Sequence, residues 1–424
     1  MPRFVQGRSS TKQTAYRLIA TIFLPFLFAY FLSHIYRTVN ATIAENLVAD
    51  FRMGAADLGL VTSTYLLSFA IMQIPVGMLL DRYGPKLVHA GLLTFAAIGA
   101  FVFSYAITLP HLILGRALIG LGVAGALLAG LKSLVTTLPE ERWAVANGLF
   151  IGLGAAGTIF ATAPAEIVVG HVGWRGLFAV LGAATLFAAL VIFMVVPAIE
   201  PSKPARSHDR AGSFGTVLAD PRFWRLAPLN LTTIAGSWAL QGLWAAPWLT
   251  DVALLSRPDV VRLLLVMALA HCAGGVCLGI LARLLRRVGI GPAGILALSC
   301  LILITAEFAL VVWKPVYAIL PWSVIAAIGA GAALTFAILP TYYPLALSAR
   351  ASSLLSLFTM GGAFLIQLGL GYIINYWPRD QLGHYPATAY NAAFISLLTI
   401  QCFALLNFAQ GNIGSQTVRK EKLS

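Results

Sequence analysis

The stretch GMLLDRYGPK (Gly77–Lys86) lies between two apolar runs, Leu58–Leu80 and Leu87–Ile107, and its reading decides the architecture. Each run is roughly 20 residues long, enough to carry an α-helix across about 30 Å of hydrocarbon. A short segment with Gly77, Asp81, Arg82, Gly84 and Lys86 is then the turn of a helical hairpin at one membrane face. Working outward, the first half adds Leu18–Val39, Leu112–Leu131, Ala144–Val169 and Leu177–Val196. The second half supplies Leu226–Leu249, Leu263–Leu285, Ala293–Val312, Val316–Leu339, Ala351–Ile374 and Ala392–Ala409. These twelve runs are predicted as helices 1 to 12 of an all-α membrane protein. Composition agrees: 59% of residues are hydrophobic and 10% charged, against about 25% charged in soluble domains.

The formal net charge of +13 would also suit a nucleic-acid partner, so its placement matters. With the N-terminus inside, nineteen lysines and arginines fall on inner segments. Six fall on outer loops: Arg52, Arg175, Arg257, Arg262, Lys314 and Arg379. This positive-inside bias predicts the cytoplasmic (inner) membrane, both termini in the cytoplasm and no nucleic-acid partner. The first run is too long for a signal-peptide core and no small-residue cleavage site closes it, so it is expected to stay in the mature protein. The four cysteines form no CxxC and read as small core residues, with no metal site. No GxxxxGK[ST] loop occurs, which argues against ATP drive, and no cofactor is expected.

The one long polar interruption, AIEPSKPARSHDRAGSFGTVLADPRFWR (Ala198–Arg225), reads as a cytoplasmic linker. It divides the chain into an expected six-helix bundle over 1–197, a linker over 198–221 and a second bundle over 222–424. GILARLLRRVGIGP (Gly279–Pro292) echoes the Gly77 loop at the same place in the second half, with Arg283 where Asp81 stands. Two pseudo-symmetric halves are a recurring plan of secondary transporters.

GMLLDRYGPK resembles the signature loop of the major facilitator superfamily. LGRALIGLG (Leu114–Gly122) is similar to that family's helix-4 motif, LPEERWAVANGLF (Leu138–Phe150) to its helix 4–5 loop and GWRGLF (Gly173–Phe178) to the start of its helix 6. The resemblance covers all twelve helices. It implies a transporter, not an enzyme, that acts as a monomer by alternating access, with helices 1, 4, 7 and 10 around a central cavity. It also implies that Asp81 and Arg82, framed by Gly77 and Gly84, latch the halves together at the cytoplasmic side. In terms of charge, Asp81 at a helix end can meet another helix's N-terminal dipole or an inner-loop arginine.

Arg37 is the costly residue, since a charge inside the bilayer needs a role. Helix 1 continues past Val39 through Ala41, Ile43 and Ala44, which puts Arg37 below the helix end at a depth similar to Arg116 on helix 4. Two converging cations need an anion between them, and guanidinium suits carboxylate or phosphate. The competing reading is an outer-interface arginine that snorkels. YRTVNATIA (Tyr36–Ala44) also resembles helix 1 of the superfamily's organic-anion branch, where an arginine holds the substrate. Tyr36 and Val123 stand where that branch carries the carboxylates of proton coupling, so coupling is expected through Glu166, His271 or His34, or by exchange for a counter-anion. Gln241, Trp244, Trp322 and Gln367 are candidates for the facing wall, together with His34 one turn from Arg37. Lys132 is either a snorkelling lysine or a cation on the inner path, and Glu307 reads as an interfacial charge.

The expected function is secondary transport of a small organic anion, the expected partners being that substrate, the bilayer and a coupling proton or counter-anion. One rival is a drug or metabolite exporter, although exporters of cationic drugs need a cavity acid that the central helices lack. Another is copper transport, suggested by Met267 and His271 on one face of helix 8 with Cys272 adjacent. A transporter-like sensor is the third.

Overall fold

The computed structural model describes residues 18–197, 214–313, 315–343 and 345–421. Most of the expected linker lies outside the described residues. Twelve helices, α1 to α12, match the twelve apolar runs. The first six are α1 (Ile19–Phe51), α2 (55–83), α3 (85–104), α4 (Leu109–Thr137), α5 (140–172) and α6 (174–195). The second six are α7 (221–251), α8 (Arg257–Arg287), α9 (Pro292–Val312), α10 (319–342), α11 (Leu345–Ile374) and α12 (Ala387–Glu421). Ten helical stretches among the described residues are long and apolar enough to cross a membrane. One of them holds both α2 and α3, and α7 completes the set.

The signature loop turns sharply at a single residue. Helices α2 and α3 meet at Gly84, whose φ of 77° and ψ of 162° suit glycine and not an L side chain. Gly173 does the same between α5 and α6, at φ 71°. Asp220 caps α7: it lies just before Pro221 and accepts from the Arg222 amide at 2.8 Å. The Arg222 side chain, bonded to it, holds its carboxyl below the usual range.

The glycines of α4 work as close-packing residues. A Cβ on Gly115 would stand 2.8 Å from Phe103 Cβ and 2.9 Å from the Gly99 carbonyl of α3, so the two backbones meet there. Helix α7 departs from regular α-helix twice, with π-helical turns at Asn230–Ile234 and Leu240–Trp244. Such turns shift the register of a helix face and recur at functional sites. The second turn packs against α1 and carries Gln241.

The end of the molecule at which α1 begins and α6 ends is here the linker end, and the other the distal end. The bundles are joined at the distal end. Arg379 of the α11–α12 loop donates to the Met53 carbonyl, and Tyr385 Oη accepts from the Ala55 amide at 3.0 Å. At the linker end the helices part: Ile151, Gly152 and Leu153 of α5 and Gly275, Val276 and Cys277 of α8 are exposed in threes. Three consecutive helical residues sweep about 200°, more than a lipid-facing side alone occupies, so a cleft opens between the bundles there.

Candidate functional site: a central cavity and its two ends

The cavity lies between the bundles, with a volume of about 730 Å³ counting its open mouth. Its walls come from α1 (Arg37, Thr38, Ala41, Thr42), α2 (Thr62, Tyr65, Leu66) and α5 (Thr158, Thr162). Across from them stand α7 (Trp238, Gln241, Gly242), α8 (Leu264, Met267, Ala268, His271) and Gln367 of α11. Among the described residues neither α4 nor α10 contributes to the lining, contrary to what the family pattern implied. Close packing is the reason: on α4, Gly120 lies against the Tyr65 backbone of α2, which puts α2 between α4 and the cavity.

Arg37 faces the cavity. Helix α1 runs twelve residues beyond the apolar stretch that ends at Val39, so Arg37 sits about 21 Å from its distal end. That is too deep for a snorkelling arginine. Arg37 Nη2 lies 2.8 Å from His34 Nδ1, and its guanidinium stacks 4.9 Å from the Trp238 ring centroid, across the bundle interface. Because guanidinium only donates, His34 Nδ1 must accept. His34 is therefore the neutral tautomer with its proton on Nε2, itself buried against Tyr30 at 4.7 Å.

The other predicted residues divide. His271, Gln241 and Gln367 line the cavity. His271 Nδ1 lies 3.1 Å from the Ala326 carbonyl, which accepts its proton, and Gln241 Nε2 donates to Ser237 Oγ at 2.7 Å. Gln367 Nε2 is buried without a partner. Trp244 stands behind the wall, donating to the Gln367 carbonyl at 3.1 Å, and Trp322 is buried against Trp248 at 5.8 Å. Arg116 is at the depth of Arg37 but off the cavity: its Nη1 donates to the Tyr36 carbonyl at 3.0 Å and it lies 4.8 Å from the Tyr65 ring. Met267 lines the cavity with His271, whereas Cys272 turns to the Ala155 carbonyl at 3.7 Å. Glu307 is not interfacial. It is 1% exposed, inside the second bundle.

At the linker end Asp81 pairs with Lys132 of α4 at 2.6 Å, and Lys132 also donates to the Leu80 carbonyl at 2.9 Å. Both partners belong to the first bundle. Arg82 lies over the Tyr83 ring at 5.2 Å, and a Cβ on Gly77 would meet open space. At the distal end the sequence reading missed the main feature. Arg257, at the start of α8, grips Glu166 of α5 through Nε and Nη2 at 2.5 and 2.9 Å. The same guanidinium donates to Glu45 Oε2, Asn46 Oδ1 and the Thr42 carbonyl of α1 at 2.9, 2.9 and 3.3 Å. Thr250 of α7 donates to Glu45 at 2.8 Å. Thr42 and Thr162 line the cavity on that side, and the clamp lies beyond them with neither glutamate in the lining.

The chain belongs to the Major Facilitator Superfamily, whose family model matches residues 26–370. It is a multi-pass membrane protein, and its family is one of transporters, not of enzymes. The nitrate/nitrite transporter NrtP of Picosynechococcus sp. is 27% identical over 248 residues, 50% of this chain and 46% of that protein. The efflux pump hmp6 of Hypomyces subiculosus is 29% identical over 160 residues, 38% of this chain and 28% of that protein. The chain thus aligns with less than half the length of these curated relatives. A bacterial homologue of the human lysosomal transporter Spinster, solved inward-facing and unoccupied, superposes with a TM-score of 0.75 at 19% identity, over 93% of this chain and 96% of that one.

Proposed function

We propose that the protein carries a small organic anion, bearing a carboxylate or phosphate, across the cytoplasmic membrane by alternating access between two six-helix bundles joined by the linker. The comparisons divide between anion carriers and efflux pumps, so the chemistry of the cavity has to choose. One observation carries the choice: the lining contains a permanent cation, Arg37, and no aspartate or glutamate. A cationic drug would find no counter-charge there. An anion would find a guanidinium oriented by His34 and Trp238, with the unpartnered Gln367 amide across the interface to complete its coordination. An anion held by α1 on one side and α11 on the other couples its binding to the approach of the two bundles.

Coupling is best supported at His34. A proton on Nδ1 would abolish its acceptor role, release Arg37 and add a second positive charge beside it, which favours proton and anion arriving together. His271 is the second candidate, and Glu166 is already engaged in the distal clamp. The linker end is the cytoplasmic face in this reading, on the charge bias of the loops. A cysteine at Ser256 should therefore label only from outside and one at Glu141 only from the cytoplasm. Labelling of both from one side would end it.

The direct test is a thermal-shift screen of purified protein against small carboxylates, nitrate and inorganic phosphate, followed by Arg37→Lys with whichever anion stabilises it. Lysine keeps the charge but loses the planar fork, and binding should weaken at least tenfold, about 1.4 kcal/mol. Undiminished binding in Arg37→Lys, or stabilisation by cations alone, would sink the anion reading. In proteoliposomes His34→Gln should lose pH-gradient drive while retaining anion exchange.

A further inference from the structure

Around Arg116 several polar groups of the first bundle stand unpartnered. Arg116 Nε and Nη2, both polar side-chain atoms of Asn40 and Thr62 Oγ1 have no hydrogen-bond partner. Arg116 and Asn40 are fully buried and Thr62 is 2% exposed. The three share one layer. Arg116 reaches the carbonyl of Tyr36, one turn from Asn40 on α1, and its guanidinium lies over Tyr65, one turn from Thr62 on α2.

The charge is the difficulty. None of the ion pairs among the described residues includes Arg116. Other buried orphans, such as His89 and Glu307, can take a neutral form. An arginine cannot. An uncompensated ion in an apolar interior costs several kcal/mol, and one carbonyl with one aromatic face offsets only part of that. A water molecule would satisfy the donors but not the charge. A small anion answers both.

We propose that Arg116, Asn40 and Thr62 form a second anion site, behind Tyr65, for an inorganic monoanion of halide size. It is distinct from the transport site. Thr62 and Tyr65 line the cavity but Arg116 and Asn40 do not, so a multi-atom substrate held at Arg37 does not reach it. The free Nε and Nη2 edge of the guanidinium, an amide and a hydroxyl, drawn from α4, α1 and α2, supply the donors. The ion neutralises the layer in which α1, α2 and α4 meet, and the first bundle becomes anion-dependent in stability.

Bromide is the probe, because it scatters anomalously. The full chain in bromide should melt about 2–4 °C higher than in gluconate at equal ionic strength, and crystals in bromide should show an anomalous peak beside Arg116. Arg116→Gln should abolish both signals, and Asn40→Ala should weaken them if the first variant fails to fold. Arg37→Gln, which strikes the transport site, should leave both intact. Equal melting in the two salts with no peak at Arg116 would overturn the proposal. So would a peak confined to Arg37, or a bromide response that survives Arg116→Gln.

Discussion

The two ends of the molecule use the same chemistry to different effect. At the distal end Arg257 meets two carboxylates of the other bundle. At the linker end Lys132 meets Asp81 of its own. The distal side chains are 30%, 42% and 25% exposed for Arg257, Glu45 and Glu166; at the linker end Lys132 is 20% exposed but its carboxylate partner Asp81 is 76% exposed. A part-buried, bidentate pair that spans two moving bodies contributes to the balance between states, whereas an exposed pair within one body contributes almost nothing to it. The structure accordingly is closed where the pairs cross and parted where they do not.

The largest expected effect is at the clamp. Arg257→Ala removes every cross-bundle bond of the guanidinium and leaves Glu45 and Glu166 without their shared cation. Allowing for solvent screening, the distal-open state should gain about 2 kcal/mol, roughly 30-fold in population. Distances between spin labels placed across the distal end would report it. An unchanged distribution would mean that the contacts of the α11–α12 loop with Met53 and Ala55 hold that end alone. Glu45→Gln and Glu166→Gln should each give a smaller shift and combine non-additively, since they share one partner.

The linker end predicts a contrast between partners. If Asp81 serves as the latch of the opposite state, its bond to Lys132 here is a resting contact. Asp81→Asn should then cut transport while leaving anion affinity within a few-fold, and Lys132→Ala should leave transport near normal, an exposed pair being worth about 0–1 kcal/mol. Equal loss in the two variants would place the function of Asp81 in the first bundle alone. The smallest effect on the balance between states belongs to Gly84→Ala, which acts on stability instead. The φ of 77° with ψ of 162° at Gly84 is a region essentially confined to glycine, which costs an L residue about 1–3 kcal/mol, and this should lower the melting temperature by a few degrees without moving the balance between states.

Much of the site was legible in the sequence and some was not, for identifiable reasons. Arg37 could be placed because burying a charge in a membrane helix is costly and few positions make it worthwhile. Its neighbour His34 followed from helical spacing. Arg116 was matched to Arg37 in depth, yet depth says nothing about which side of α2 a residue occupies. Trp244 and Trp322 fell behind the wall for the same reason. Arg257 gave no signal: it reads as an ordinary outer-loop cation, and its partners Glu166 and Glu45 lie far off along the chain. Glu307, which reads as a peripheral charge, is inside the second bundle because the helix face it occupies turns inward.

The sequence by itself determined what depends on composition and period: twelve helices, the hairpin at Gly84, the family and an arginine too deep to be ornamental. These follow from local rules, since a bilayer requires each spanning segment to satisfy its own backbone and makes every buried charge conspicuous. Only the tertiary structure decided which helices wall the cavity, which cations face it and at which end the bundles are joined. Those depend on the rotation of each helix and on the register between bundles, set by glycine contacts such as Gly115 on Gly99 and by the π turns of α7. Packing between segments distant in sequence fixes both, and no local pattern encodes them.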